Sequence, residues 1–169
     1  MDDELAAFCR AEHLRLVGVL SLYCRDRYVA EELAQDTIVR VIGDWSRVRR
    51  LDCPSAWAHR VAINLANSHL RRRLAERRAL RRLSHRPQAE QHDPDTPTAV
   101  AVRAAVAGLP RRERAVVVLR FFADFSVREV ADLLGMPEGT VKSVTARALA
   151  GMRAAGLTEI REASDAHHP

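Results

Sequence analysis

The sequence is poor in residues that staple a chain, carry it across a membrane or do chemistry. Its cysteines, Cys9, Cys24 and Cys53, are an odd number, widely spaced and without a CxxC pair. They supply neither a disulfide framework nor a zinc knuckle, and read as buried thiols. Cys9 and His13 stand one helical turn apart, but a closed zinc site asks for more ligands than these two. No metal or cofactor is expected. No segment approaches the run of about 18 apolar residues that a membrane span needs. The N-terminal MDDELAAFCR is acidic where a signal peptide is positively charged, so the chain is expected in the cytoplasm without membrane insertion. Ser-His-Asp, paired-carboxylate and phosphate-loop constellations are missing too, so the expectation is not an enzyme.

What is present is a chain of 169 residues, 47% hydrophobic, enough for one or two small domains with real cores. Net charge is +5, and its placement says more than its total. Residues 1 to 44 hold five Arg against nine Asp or Glu, a block of −4. Residues 45 to 86 hold twelve Arg against Asp52 and Glu76, a block of +10. Residues 87 to 102 carry only Glu90, Asp93 and Asp95, a block of −3, and the rest carries ten basic and eight acidic groups, a block of +2. A single polyanionic partner would not call for the acidic blocks, so the pattern points to more than one partner.

Hydrophobic spacing predicts helices almost throughout. Leu5, Phe8, Leu16, Leu20 and Tyr23 form a stripe over 3 to 25. From Val29 to Gly43, Leu33, Thr37, Val41 with Ala34 and Ile38 form another, closed by Trp45. SRVRRLDC reads as a short irregular stretch, and Pro54 then suits the first turn of a long helix. On that helix Trp57, Val61, Leu65, Ile63, Ala66 and Leu70 make the apolar face. Arg60, Asn64, Asn67 and Arg71 fall at i, i+4, i+7 and i+11 on another stripe. Asparagine is a mediocre helix former, so two on one stripe invite hydrogen bonding to bases or phosphates. The arginines that follow, from Arg71 to Arg82, suit phosphate contact through counterion release.

HRPQAEQHDPDTPTA, residues 85 to 99, has three prolines and no aliphatic side chain longer than alanine, and reads as a flexible linker. Helices are then expected at 99 to 108 and 111 to 122, followed by a helix-turn-helix. Ser126 and Glu129 make a capping box. Val127, Val130, Ala131 and Leu134 face inward, Gly135 ends the helix, and another begins at Thr140. In that second helix Val141, Thr145, Ala148 and Met152 pack down, and Lys142, Ser143, Ala146 and Arg147 point outward as a recognition helix would.

In their order and spacing, AEELAQDTIVRVIGDW, SAWAHRVAINLANSHLRRR, LPRRERAVVVLRFF and SVREVADLLGMPEGTVKS resemble the extracytoplasmic-function group of bacterial RNA polymerase sigma factors, of the sigma-70 family. The resemblance covers Leu5 to Arg153. It implies an all-α fold of two small helical domains joined by a flexible linker. Residues 1–84 would bind core polymerase and the minus-ten element, 85–99 would be an acidic linker, 100–156 would read the minus-thirty-five element, and 157–169 would be a tail. Partners implied are core RNA polymerase, through its beta and beta-prime subunits, and promoter DNA. Members of the group are commonly held inactive by an anti-sigma factor, which adds such a protein to the candidates.

Carried over by position, Glu32, Gln35, Asp36 and Arg40 match the polymerase-binding helix. Arg49, Arg50 and Asp52 match the loop that holds a flipped minus-ten base. Trp57, His59, Arg60, Asn64, Asn67 and Arg71 match the helix beneath it. Arg120, Thr140, Lys142, Ser143, Ala146 and Arg147 match the minus-thirty-five contacts, with Arg120 a phosphate clamp. The linker, with Glu90, Asp93 and Asp95, would pass through the polymerase cleft and RNA exit path. The chain departs from the group's pattern at Val144 and Thr145, where a basic residue and a leucine are usual, and Ala146 offers no hydrogen bond. The competing reading is a stand-alone helix-turn-helix regulator whose N-terminal domain dimerises or senses a signal.

Overall fold

The computed structural model describes residues 3–80 and 97–156, and every described element is helical. The chain divides into two compact units, Met1–Asp93 and Pro94–Pro169. The expected linker up to residue 96, with its three acids, and the expected tail 157–169 lie outside the described residues.

In the first unit α1 (Asp3–Cys24), α2 (Arg27–Gly43) and α4 (Pro54–Leu80) pack on one another, with a four-residue helix, α3 (Trp45–Val48), after α2. α2 begins two residues earlier than its apolar pattern suggests, because the Asp26 carboxylate caps it by accepting from the Val29 amide at 3.2 Å. α3 is also more regular than SRVRRLDC predicts. The buried indole of Trp45 and buried Val48 anchor it against Leu5, Val41 and Ala58, and the Phe8 ring lies 5.3 Å from that of Trp45.

The seam of α4 is narrower than its large apolar residues implied. Ala58, Ala62 and Ala66, with His59 and Ile63, are the buried residues, while Trp57, Val61 and Leu65 are only half-buried. Three alanines at i, i+4 and i+8 let α4 approach closely, and Leu16, Leu20 and Tyr23 of α1 with Leu33 and Ala34 of α2 supply the bulk.

In the second unit α5 (Pro97–Gly108) starts within the stretch read as linker. α6 (Arg111–Val117) passes into a π-helical segment (Val118–Phe122) and packs against α8 (Glu138–Ala154), which also meets α7 (Val127–Leu134). Every residue from Ala115 to Arg120 is buried, the mark of a helix enclosed on all sides. The turn between α7 and α8 follows its sequence signals. Ser126 Oγ accepts from the Glu129 amide, the Glu129 carboxylate accepts from the Ser126 amide, and Gly135 closes α7 at φ +63°, the left-handed region. α8 begins at Glu138, earlier than the expected Thr140.

Candidate nucleic-acid interface and docking face

On α2, Glu32, Gln35, Asp36 and Arg40 are all exposed. The spacing places them on the side of the helix away from Leu33, Ala34, Thr37 and Val41, which are buried. Tyr28, Val39 and Ile42 share this outer side and are exposed as well. Tyr28, Glu32, Gln35, Val39 and Ile42 follow a 4-3-4-3 spacing, the seam one helix offers another in a coiled coil. The polar residues are those expected from the sequence, and the apolar members are an addition. The signal was there, since Val39 and Ile42 sit off the buried stripe.

Beyond α3, Arg49, Arg50 and Asp52 are exposed in the turn before α4, and an Arg49 Nη donates to Glu4 at 2.9 Å. A shallow cleft of about 390 Å³ lies nearby, lined by Arg40, Gly43, Asp44, Trp57 and Val61. The Arg47 guanidinium sits 5.6 Å from the centre of the Trp57 ring, so cation and aromatic face adjoin that cleft.

The α4 stripe is partly as expected. Arg60, Asn64 and Arg71 are exposed, and an Arg71 Nη donates to Ser68 at 3.2 Å. Asn67 is half-buried, its side-chain oxygen accepting from the Tyr23 hydroxyl at 2.7 Å, so one of the two asparagines ties α4 to α1. His59 corrects the expectation outright. It is 1% exposed, and its Nδ1 lies 3.0 Å from the carboxylate of Glu12, itself 3% exposed, while Ser55 Oγ donates to the same oxygen at 2.8 Å. An imidazole enclosed there does not reach DNA. Burial alone would raise the Glu12 pKa, but hydrogen bonds from His59 and Ser55, with the positive charges of His59 and Arg15, hold it below the ordinary glutamate value. Past Arg71, the cationic run continues on exposed Arg72, Arg77 and Arg78, while Arg73 turns to Asp26 at 3.6 Å. Arg81 and Arg82 lie outside the described residues.

In the second unit Arg120 is a second correction. The wide π-helical turn brings its side chain inside, where an Nη donates to the Phe125 carbonyl at 2.7 Å and fastens the segment before α7. It is not presented as a phosphate clamp. Arg114 works similarly, donating to the carbonyls of Val106, Ala107 and Leu109 at the end of α5. On α8, Lys142, Ser143, Ala146 and Arg147 are exposed and Thr140 is half-buried. Val144 is buried with Val141, Ala148, Leu149 and Met152, so it belongs to the core. Thr145, expected inside, is half-buried and donates to the Val141 carbonyl at 2.8 Å.

Among the described residues no group of His, Cys, Asp and Glu is arranged to hold a metal ion, and no helix is long and apolar enough to cross a membrane.

Comparison with known proteins bears on both units. Residues 8–76 match the family model for Sigma-70 region 2, and residues 99–152 the model for Sigma-70, region 4. The chain is 32% identical over 141 residues to the ECF RNA polymerase sigma factor SigM of Mycobacterium tuberculosis, covering 83% of this chain and 71% of that one. It is 32% identical over 124 residues to the RNA polymerase sigma-E factor of Streptomyces coelicolor, covering 73% and 70%. In fold it is similar to the sigma factor RpoE, co-crystallised with the anti-sigma factor NepR from Bartonella quintana. The TM-score is 0.80 at 19% identity, over 95% of this chain and 100% of that one.

Proposed function

Because the chain belongs to the ECF RNA polymerase sigma factors of the sigma-70 family, we propose a division of labour among its exposed surfaces. The chain binds core RNA polymerase and directs promoter recognition and melting for transcription initiation. We take 1–84 for polymerase and the minus-ten element, 85–99 for the linker, 100–156 for the minus-thirty-five element and 157–169 for a tail, a division supported by the matches over residues 8–76 and 99–152. The polymerase makes the bonds; this chain supplies the address, and it works in the cytoplasm where that enzyme works.

The observation that carries the division is the outer side of α2, where Glu32, Gln35, Asp36 and Arg40 alternate with exposed Tyr28, Val39 and Ile42. Such a seam suits a helical element of the beta-prime subunit: the apolar members give affinity, and the acids set register and on-rate. The opposite requirement, affinity for separated DNA, falls to Arg60, Asn64 and Arg71 on α4. Arg49, Arg50, Asp52 and the Trp57 cleft receive an unstacked base, which offsets the few kcal/mol of stacking lost. His59 and Asn67 are supports beneath that surface. Lys142, Ser143 and Arg147 face the duplex, with Thr140 and Ala146 lining the approach. An anti-sigma partner fits the α2 seam, since covering it blocks the polymerase.

Run-off transcription with purified core polymerase tests the reading. The chain with core is expected to give a discrete transcript from its promoter, and the chain alone to bind the same duplex weakly. Tight, specific duplex binding without core, and no transcript with it, is the outcome for a stand-alone regulator.

A further inference from the structure

Few of the side chains that α8 turns outward end in a group suited to reading a base. Ser143 Oγ donates to its own helix, at the Thr140 carbonyl, 3.0 Å away. Val144 is buried, and Ala146 has no polar side-chain atom. Of the residues expected to face the duplex, Lys142 and Arg147 remain, and a lysine ammonium is a point charge on a flexible stem. Arg147 is held differently. Its Nε donates to Glu113 Oε1 at 2.6 Å, linking the middle of α8 to the first turn of α6.

The two partners are unequally wet. The Glu113 side chain is 12% exposed and that of Arg147 65%. An incidental surface pair leaves both ends in water and contributes little. Here a recessed acid on an enclosed helix holds the base of an exposed guanidinium. The nitrogen used matters as well. A guanidinium recognises guanine O6 and N7 through two parallel N–H groups. Anchoring at Nε leaves the edge formed by both Nη groups turned away from the anchor. A pre-set arginine loses less side-chain freedom on binding. The Glu113 charge also opposes phosphate, which disfavours sites where Arg147 finds no acceptor.

Resting on the reading of α8 as the duplex-facing helix, we infer that Glu113 is a positioning and specificity-determining residue, which aims Arg147 at a guanine in the minus-thirty-five element. Val144 and Ala146 then cease to be a deficit, because one buttressed arginine carries the discrimination.

The test uses holoenzyme assembled from purified core polymerase and the full chain, binding a promoter library randomised across the minus-thirty-five element. The wild type is expected to prefer guanine at one position, and Arg147→Ala to lose that preference. Glu113→Gln is expected to weaken the preference at that position by roughly three- to tenfold, leaving other positions unchanged. The double variant should lose no more than Arg147→Ala. Glu113→Asp, which keeps the charge on a shorter stem, should recover part of the loss. A Glu113→Gln protein with undiminished preference, or one weakened equally at every position, overturns the inference alone. A wild-type holoenzyme with no preference anywhere in the element overturns the reading of α8 beneath it too.

Discussion

The two units spend their buried polar groups differently. In the first, side chains from distant helices bond each other: Glu12 with His59 and Ser55, and Tyr23 with Asn67. In the second, arginines bond backbone carbonyls at helix ends, Arg114 at the close of α5 and Arg120 after the π-helical segment. Cross-helix pairs fix how α1 and α4 register against each other, and so where Arg60 and Asn64 face. Carbonyl-binding arginines fasten loops, Arg114 the one after α5 and Arg120 the one before α7. Under the proposed division of labour, the first unit holds a surface steady while DNA is unpaired over it, and the second presents a helix to the duplex.

The largest effect expected of that contrast concerns its outer surface. Asp36→Arg should abolish co-purification with core polymerase while leaving the circular dichroism spectrum and the melting temperature unchanged, since Asp36 is exposed and packs on nothing in the core. Retained co-purification would remove α2 as the dock.

Next come the buried pairs. Glu12→Ala removes the buried carboxylate that His59 and Ser55 share and should lower the stability of the first unit by about 1–3 kcal/mol in urea unfolding. Because the folded Glu12 carboxyl titrates below its unfolded value, its stabilisation is present above the ordinary glutamate pKa and is lost as pH falls through the lower folded value. Acid unfolding of the wild type should show this component and that of Glu12→Gln should lack it. If both variants melt and acidify like the wild type, the cross-helix pairs do not hold this unit.

A smaller effect probes the second unit. Gly135→Ala places a Cβ where nothing lies within 4 Å, so the loss of about 1 kcal/mol expected in thermal unfolding is that of the left-handed backbone alone. Ser126→Ala, which removes a cap, should lose a similar amount, about 1 kcal/mol.

The smallest change in stability sharpens the comparison most. Asn64→Ala should raise helix stability by up to about 0.5 kcal/mol, because asparagine is the poorer helix former. It should nevertheless weaken capture of single-stranded minus-ten DNA by holoenzyme, measured by permanganate reactivity. Asn67→Ala should do the reverse of the first, lowering the melting temperature by breaking the bond to Tyr23.

The two asparagines show how far the sequence could be read. Periodicity locates the helices, and the capping box with Gly135 locates the turn, because these signals are local. It also places Arg60, Asn64, Asn67 and Arg71 on one stripe. It does not reveal that Tyr23, 44 residues away, reaches Asn67. His59 is assigned to the DNA-facing set by its position in the family pattern, and nothing local marks it as buried, because its partner Glu12 sits on another helix. Arg120 is likewise assigned by position in the family pattern, and its burial follows from a π-helical segment that the sequence does not announce. Exposed Tyr28, Val39 and Ile42 lie outside the set that the family pattern names on that side, Glu32, Gln35, Asp36 and Arg40.

The most direct test of the division of labour places a photo-crosslinking amino acid at position 36, 64 or 143 of the full chain in a holoenzyme–promoter complex. The account predicts that position 36 crosslinks to the beta-prime subunit, position 64 to the unpaired nontemplate strand and position 143 to duplex upstream of it. Position 36 crosslinking to DNA, or position 64 to polymerase alone, would contradict it.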